Sequence, residues 1–340
     1  MHVSHTIDGP ATTGTAREGT HASGGIRRWV GRTAAVVAAL TVAAVLYGAY
    51  GYQPAEAGRG HTSPYLRAEG SRFADTPLAR FHYLRAGSGS PVVLLSPGGA
   101  SVIGWKEQLG VLARAHTVYV VDLPGQGYTR LKDRRFRWDL PAMTGAIASF
   151  MDAVGVRRAA LAGNSWSGGW ALAFAQRHPD RVSRLALLDA TALHVKDTWS
   201  WEILKYPVIG ELLTNLTGTG KATYRGWIAH TLVHRERATA QLVDELWAPA
   251  TFRDNLRATY ELERGLNWAE TEEAMPSTRT PTLVLWGEQD KIVPVWQARR
   301  IGALLPDARV QILDRCGHAV QLDCPEPVNR LLLDFLRETA

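Results

Sequence analysis

Short apolar runs recur along most of the chain and are separated by stretches with helical spacing. Each run is a few residues long and rich in Val, Leu and Ala, which is typical of a strand buried on both faces. Alternation of such strands with helices predicts an α/β fold with a mostly parallel sheet covered on both sides. Ligands of such sheets bind at the carboxyl ends of the strands. The runs are 91–95, 117–121, 158–162, 182–188, 281–285 and 309–313.

A further strand precedes these runs and differs from them in pattern. Apolar and polar residues alternate from Arg80 to Leu84, which indicates a half-buried strand. The sequence Gly87-Ser88-Gly89-Ser90 follows and predicts a hairpin-like turn into the run at 91–95.

Residues 194–275 differ in pattern from the rest of the chain. They contain no comparable strand run, and apolar residues recur at helical spacing, as at Leu242 and Leu246. We expect a helical cap that interrupts a core formed by 72–193 and 276–340. Most of its tryptophans are expected to pack the cap, and a few to line an apolar substrate pocket. These are Trp199, Trp201, Trp227, Trp247 and Trp268.

An uncharged apolar stretch covers residues 33–52. At about 1.5 Å per residue it is long enough for the roughly 30 Å hydrocarbon layer of a bilayer. Arginines precede it and tyrosines stand at its far end, which favours a cytoplasmic N-terminus. Residues 1–32 then form a disordered cytoplasmic leader, and residues 53–71 form a linker to the exported domain.

Two other interpretations of this stretch stay open. It could be a cleaved signal peptide, with Ala55-Glu56-Ala57 as the cleavage site, or a buried core helix. A buried helix fits poorly, because the stretch is apolar on every side and precedes the first strand. We therefore expect a single-pass protein of the cell membrane with an extracytoplasmic catalytic domain, or a secreted protein after cleavage.

Length, charge and cysteine content exclude some classes of function. A chain of 340 residues can form one large α/β domain with an insertion. The net charge is +6, but no Lys/Arg block interleaved with aromatic residues occurs in the body, so we expect no nucleic-acid partner. The two cysteines, Cys316 and Cys324, have no metal-binding spacing.

The strongest chemical signal is the sequence Gly163-Asn164-Ser165-Trp166-Ser167-Gly168. A buried run leads into it and a helical stretch follows it, so Ser165 stands on a strand–turn–helix elbow of the G-x-S-x-G type. Small neighbours are needed because larger side chains would collide at the bend. The fifth position holds Ser167 instead of glycine, which is a mild departure.

A serine nucleophile needs a base, and the base needs an orienting acid. Asp290 follows the run at 281–285, and His318 follows the run at 309–313. Both therefore lie at strand carboxyl ends, in the chain order Ser, Asp, His. The alternative acid is Asp189, which also ends a strand; Glu288 comes earlier in the same loop and is less suited.

Acyl transfer also needs two donors for the oxyanion. The backbone N–H of Trp166, next to the nucleophile, is one candidate. The loop after 91–95 supplies the second, and Gly98 fits because a glycine can turn its N–H inward without a side chain in the way.

Together these motifs resemble the α/β-hydrolase superfamily, over about residues 72–340. The carrying residues are the elbow and the sequences Asp122-Leu123-Pro124-Gly125-Gln126-Gly127, Trp286-Gly287-Glu288-Gln289-Asp290 and Gly317-His318. The resemblance implies eight mostly parallel strands, with a cap after the sixth. Among capped members, a serine nucleophile indicates the carboxylesterases, lactonases and carbon–carbon bond hydrolases, acting on a small acyl substrate without cofactor or metal.

One departure from the family concerns the oxyanion loop. Relatives usually carry His-Gly where this chain has Ser96-Pro97, so the loop is expected to be held differently, with Pro97 stiffness as one means. Other possibilities also stay open: transfer of the acyl group to another acceptor, a non-catalytic ligand-binding protein, and a disulfide between Cys316 and Cys324 that clamps the His318 loop. The sequence sets neither acyl length nor oligomeric state.

Overall fold

A computed structural model describes residue 9 and residues 21–58, 60, 61, 63–133 and 135–337. The chain divides into two compact units, Met1–Tyr47 and Gly48–Ala340. Most of the expected leader, residues 1–8 and 10–20, lies outside the described residues.

The first unit contains one long helix, α1 (His21–Leu46), and a π-helical turn follows at Tyr47–Gly51. The segment Arg27–Gly51 has 25 residues and a mean hydropathy of 1.8, so by length and composition it can cross a membrane. The helix begins before the apolar stretch, so residues 21–32 are helical and not irregular as expected. Extending an existing helix is far less costly than starting one, which accounts for this extension.

The second unit is built on one sheet of nine strands. Its order is β1-β2-β4-β3-β6-β7-β8-β9, and the short β5 pairs with β2. Strands β3, β4 and β6 to β9 pair in parallel, while β2 is antiparallel to its neighbours. The strands are β1 (Arg72–Asp75), β2 (Ala79–Ala86), β3 (Ser90–Leu95), β4 (His116–Val121), β5 (Arg130–Leu131), β6 (Ala159–Asn164), β7 (Val182–Leu188), β8 (Thr282–Gly287) and β9 (Ala308–Leu313). The α/β class and mostly parallel sheet are thus confirmed, with a two-residue strand added to the eight expected.

The hairpin expected between β2 and β3 is wrong. Strand β4 lies between them, pairing with both. The turn instead crosses the start of β4: a Cβ on Gly87 would lie 2.2 Å from the His116 carbonyl oxygen, and one on Gly89 2.5 Å from that of Ala115. The glycines thus allow a close passage between backbones, which permits β3 to be inserted into the sheet centre.

Helices cover both faces of the sheet and form two apolar cores. Helices α4, α5 and α12 pack on one face, and α3, α13 and α14 on the other. Helices α6 to α11 connect β7 to β8, at the carboxyl edge of the strands. The helices are α2 (Pro64–Glu69), α3 (Lys106–Leu112), α4 (Leu140–Ala153), α5 (Trp166–Arg177), α6 (Trp199–Glu202), α7 (Ile209–Thr217), α8 (Lys221–Thr231), α9 (Ala240–Ala250), α10 (Arg253–Gly265), α11 (Ala269–Ala274), α12 (Trp296–Leu304), α13 (Val320–Asp323) and α14 (Pro325–Arg337).

The segment 53–71, expected to be a linker, is partly structured. Ser63 caps helix α2 by accepting a hydrogen bond from the Leu66 N–H, and Leu66 is buried. Glu56 accepts a hydrogen bond from the Arg253 N–H at 2.9 Å. The segment is therefore part of the second unit and packs against the rest of it before the sheet begins.

Candidate active site

Ser165 occupies a sharp turn between β6 and α5. Its backbone has φ 59° and ψ −128°, a conformation that non-glycine residues rarely adopt. A Cβ on Gly163 would lie 2.2 Å from the Ser167 carbonyl oxygen, and one on Gly168 would lie 2.5 Å from the Ala190 Cβ. The small flanking residues are therefore required by the close packing of the turn, as the sequence pattern predicts.

The serine at the fifth position of the motif has a structural contact of its own. Ser167 is buried, and its hydroxyl accepts a hydrogen bond from the Asn164 N–H at 3.0 Å. The same hydroxyl lies 3.1 Å from the Leu95 carbonyl oxygen at the end of β3. Ser167 thus ties the elbow to the neighbouring strand, which a glycine could not do.

His318 and Asp290 are hydrogen-bonded to each other and buried. The Nδ1 atom of His318 lies 2.8 Å from Oδ2 of Asp290. The other carboxylate oxygen of Asp290 accepts from the N–H groups of Ile292 and Val293, at 2.7 and 2.9 Å. These bonds fix the carboxylate, so that it can hold the imidazole in one tautomer with Nε2 free to act as a base.

Ser165 and His318 line the same cavity, which has a volume of about 300 Å³. Within the part of the chain that the structure describes, no hydrogen bond joins the Ser165 hydroxyl to the imidazole. In enzymes without substrate this contact is commonly long and shortens in the substrate complex. The arrangement thus places a serine hydroxyl and an oriented imidazole at the wall of one cavity.

The carboxylate of Asp189, the alternative acid, accepts hydrogen bonds from backbone N–H groups near the site. Its carboxylate accepts from the N–H of Gly287 at 2.8 Å and of Val320 at 3.2 Å, the first at the end of β8 and the second beyond His318. Complete burial, and next the nearby Asp290 carboxylate, raise the pKa of Asp189 well above its ordinary value. Asp189 therefore holds together the two loops that carry Asp290 and His318, while Asp290 contacts the ring.

Asn164 was not singled out from the sequence. Its side-chain amide donates to the His318 carbonyl oxygen at 2.9 Å and to Asp189 Oδ2 at 3.3 Å. It thus connects the elbow to the histidine loop. Its only sequence signal is its place directly before the nucleophile.

The histidine loop is also closed by covalent and polar contacts. Cys316 and Cys324 form a disulfide around His318. Asp323 accepts a 2.7 Å hydrogen bond from the Gly317 N–H and a 2.9 Å bond from the His234 N–H in the cap. His234, Asp323 and Cys324 lie close enough to suggest metal ligands, but the Cys324 sulfur is engaged in the disulfide.

The backbone N–H groups of Gly98 and Trp166 are the donors expected for an oxyanion. Gly98 and Trp166 line the cavity beside Ser165, and a Cβ on Gly98 would lie 2.5 Å from the Trp166 ring. Over the described residues, neither N–H has a hydrogen-bond acceptor. Both expected donors therefore belong to residues that line the cavity, and within the described residues no protein group accepts from them.

Asp122 and Gln126 hold the oxyanion loop. Asp122 Oδ1 accepts from the Ser96 hydroxyl at 2.8 Å and from the Val102 N–H at 2.7 Å. The Gln126 side chain donates to the carbonyl oxygens of Ser96 and Pro97, at 2.9 and 3.0 Å. Side chains of the Asp122–Gly127 motif therefore hold the loop by hydrogen bonds. Stiffness at Pro97, the means expected from the sequence, is not the whole explanation.

The cavity wall is mainly apolar and aromatic. Trp201 and Trp227 of the cap line it, as expected of a few cap tryptophans, whereas Trp199 is 77% exposed. Lys196 is the only lysine or arginine among the described residues that line it. Glu263 also lines it, and burial, followed by the Asp197 carboxylate, raises the pKa of Glu263 to about 8.

Comparisons with known proteins agree with this geometry. Residues 91–325 match the sequence pattern of the α/β hydrolase fold. The chain is 30% identical over 270 residues to the 2-hydroxy-6-oxononadienedioate/2-hydroxy-6-oxononatrienedioate hydrolase of Comamonas testosteroni, covering 76% of this chain and 91% of that protein.

Two solved structures share the fold at lower identity. A carboxylesterase from Bacillus subtilis has a TM-score of 0.71 at 20% identity, covering 84% of this chain and 97% of that one. A membrane phospholipase A has a TM-score of 0.68 at 24% identity, covering 91% of this chain and 98% of that one. Because the family pattern spans most of the second unit and the curated relative is a hydrolase, this chain belongs to the α/β hydrolase family and is an enzyme of the serine-hydrolase type.

Proposed function

We propose that this enzyme hydrolyses carboxylic esters of apolar acids through an acyl-enzyme on Ser165. The observation that carries the proposal is the buried 2.8 Å hydrogen bond between His318 and Asp290 at the wall of the cavity that Ser165 also lines. A free serine hydroxyl is a weak nucleophile, and an oriented imidazole is the group that activates it.

The chemistry proceeds in two stages. His318 Nε2 takes the Ser165 hydroxyl proton as Oγ attacks the acyl carbon, and the carbonyl oxygen becomes an oxyanion between the Gly98 and Trp166 N–H groups. The C–O bond then breaks, and His318 gives the proton to the leaving alcohol. Water attacks the acyl-enzyme in the same way, releasing the acid and restoring Ser165. Each oxyanion donor of this kind typically contributes about 10²–10³ in rate.

A carbon–carbon bond hydrolase with the same three residues is the second candidate. The named relative from Comamonas testosteroni supports it, since its substrate is a dienedioate. A dicarboxylate needs cationic partners, however, and Lys196 alone offers one among the described lining residues. The apolar wall therefore favours a neutral ester over a doubly charged substrate.

The enzyme is also proposed to be held at the membrane by α1. Its apolar segment is long enough to span the bilayer, and a membrane phospholipase A shares the fold. Retention of α1, with the second unit outside the cytoplasm, is favoured over cleavage after residue 57. Mass determination of the mature protein decides between them, since cleavage would remove the whole helix.

The function is tested by turnover of p-nitrophenyl esters and of 2-hydroxy-6-oxononadienedioate by the full chain. We expect ester hydrolysis to exceed dienedioate cleavage, and Ser165→Ala to abolish both the turnover and the labelling by a fluorophosphonate. Ester turnover that survives in Ser165→Ala would refute the acyl-enzyme mechanism. Faster cleavage of the dienedioate would instead support the second candidate.

A further inference from the structure

Helix α7 exposes two of its apolar residues and buries its acid. Ile209 and Leu216, two helical turns apart on one face, are 42% and 60% exposed. Glu211 is buried and accepts a pair of hydrogen bonds from Arg264 at 2.7 and 2.8 Å. A helix on a water-facing surface has the opposite arrangement. The ion pair with Arg264 holds α7 in this orientation.

The exposed apolar surface extends beyond α7. Tyr206, just before the helix, is 61% exposed, and Trp199 on α6 is 77% exposed. Both helices pack against the short segment Ile203–Lys205 that connects them. Tryptophan and tyrosine are the side chains that favour the interface of a bilayer, because they combine an apolar ring with a polar group. We call Trp199, Tyr206, Ile209 and Leu216 the cap face.

The carboxyl end of the apolar segment Arg27–Gly51 is bound to α7. The Asn215 side-chain amide donates to the carbonyl oxygens of Gly48 and Ala49, at 3.2 and 2.9 Å. A Cβ on Gly48 would lie 2.5 Å from the Leu212 side chain, so the glycine allows this close packing. If the segment Arg27–Gly51 spans a bilayer, its carboxyl end lies at the membrane surface, and these contacts within the second unit hold α7 there.

A large cavity lies behind the cap face. Its volume is about 710 Å³, and Trp199 of the cap face and Leu213 of α7 contribute to its wall. Trp201, Trp227 and Ile292 line both this cavity and the one around Ser165. Apolar side chains therefore line a continuous path from the cap face to Ser165. The combined volume of the two cavities is larger than a short acyl group would fill.

We propose that the cap face docks on the lipid bilayer and that the substrate is a long-chain acyl ester dissolved in that bilayer. The hydrocarbon chain enters past Trp199 and occupies the larger cavity, and its ester group lies at Ser165. This inference rests on the proposed ester hydrolysis. Burial of each methylene group contributes about 0.8 kcal/mol, or about fourfold in affinity. A C12 ester should therefore exceed a C4 ester in kcat/KM by at least tenfold.

Docking is tested with a fluorescent probe on the cap face. Both cysteines of the sequence are in the disulfide, so Leu216→Cys supplies a single thiol for an environment-sensitive dye. The full chain is reconstituted into phosphatidylcholine vesicles with and without nitroxide-labelled lipid. We expect blue-shifted emission that the nitroxide lipid quenches. The control is Asp180→Cys, an exposed residue at the amino end of β7, opposite the cap, whose emission should stay as in water.

Two results would overturn the docking. Emission from Leu216→Cys equal to that from Asp180→Cys would show a cap face in water. A blue shift without quenching by nitroxide lipid would show that a second copy of the chain, and no bilayer, covers the face.

Substrate delivery is tested with Ile209→Asp/Leu216→Asp in the same vesicles. Among the described residues, neither Ile209 nor Leu216 lines these two cavities, so hydrolysis of soluble p-nitrophenyl butyrate should stay within twofold of the unchanged chain and report correct folding. Hydrolysis of a long-chain ester embedded in the vesicles should fall at least tenfold. Equal losses for both esters, or none for the embedded ester, would overturn the inference. Failure of the proposed function is distinguished by Ser165→Ala, because that variant loses ester turnover without altering the probe at Leu216→Cys.

Discussion

The Ser96 hydroxyl donates a 2.8 Å hydrogen bond to the Asp122 carboxylate, at the point where β3 gives way to the oxyanion loop. Asp122 is fully buried and also lies 2.7 Å from Nδ1 of His82, whose Nε2 lies 2.5 Å from the Ser71 hydroxyl. A chain of hydrogen bonds therefore runs from Ser71, in front of β1, to the loop that carries Gly98. The carboxylate receives enough donors to stay in place, and through Ser96 it sets the course of the loop.

Removing the Ser96 hydroxyl should slow catalysis more than it weakens substrate binding. Loss of one oxyanion donor typically costs about 10²–10³ in rate, so partial displacement of the Gly98 N–H in Ser96→Ala should lower kcat about tenfold. KM should change less than about threefold, because the loop acts on the oxyanion and not on the bound ester. Steady-state kinetics with p-nitrophenyl butyrate measure both constants.

Ser90 is a matched control at the other end of the same strand. Its hydroxyl lies 2.8 Å from Nδ1 of His116, at the amino end of β3. Ser90 is exposed whereas Ser96 is buried, so Ser90→Ala should cost less stability, and it should leave kcat unchanged. Equal kcat values for the two variants would show that the Ser96 bond has no catalytic role.

Replacing Asp290 should mainly lower kcat, whereas replacing Asp189 should mainly lower the melting temperature. Asp290 contacts the imidazole, so Asp290→Asn should lower kcat by at least about 10³ by favouring the wrong tautomer of His318. Asp189 accepts only from N–H donors, so Asp189→Asn should mainly lower the melting temperature. Thermal unfolding and kcat measured on both variants separate the two roles. A larger loss of kcat in Asp189→Asn than in Asp290→Asn would show that Asp189, and not Asp290, is the acid that orients His318.

Some of this architecture was predictable because its signals are local. Buried strands show as short apolar runs, and the elbow around Ser165 shows as small residues between a strand and a helix. The α/β fold followed from the alternation of these runs. The position of β3 did not, since the glycines at 87 and 89 suit a hairpin as well as a crossing of β4, and the choice depends on pairing with a distant strand.

Other parts depend on contacts between distant residues and leave no local pattern. The Asn164 side chain donates to the carbonyl oxygen of His318, which is 154 positions along the chain. The sequence Ser96-Pro97 shows that the histidine usual in relatives is absent, but it does not show that Asp122 holds the loop instead. The inverted α7 was equally hidden. Its buried face is shown by the ion pair between Glu211 and Arg264, whose partners are 53 positions apart.

Reduction of the disulfide should destabilise the second unit. Cys316 and Cys324 are separated by eight positions, and a loop of that length contributes about 2–3 kcal/mol in the chain-entropy account. We expect Cys316→Ser/Cys324→Ser to lower the melting temperature by about 3–5 °C. Activity should fall as well, because His318 lies inside the loop. Differential scanning fluorimetry and ester turnover measure the two effects.

The thiol count of the native chain provides the direct check. Titration under denaturing, non-reducing conditions should find no free thiol, and the double serine variant should be insensitive to reductant. Two thiols per chain would contradict the disulfide and remove the basis of the expected shift.

Glu263 should make both stability and substrate binding depend on pH. Burial, and next Asp197, raise its pKa from 4.5 to about 8 in the folded protein, so the folded state keeps a proton that the unfolded chain loses. The resulting stabilisation is complete below the unfolded pKa of about 4.5 and is lost as pH rises to about 8.

Glu263→Gln should therefore remove this loss. Relative to the unchanged chain, the variant should gain little in melting temperature at pH 5 and several degrees at pH 9, since one pKa unit corresponds to about 1.4 kcal/mol. Glu263 also lines the cavity, so KM for p-nitrophenyl butyrate should rise above pH 8 in the unchanged chain alone. Glu270, whose side chain is 75% exposed and paired with Arg177, is the control, and Glu270→Gln should follow the unchanged chain. A gain in Glu263→Gln that is equal at pH 5 and pH 9 would mean that the buried carboxyl does not titrate in this range.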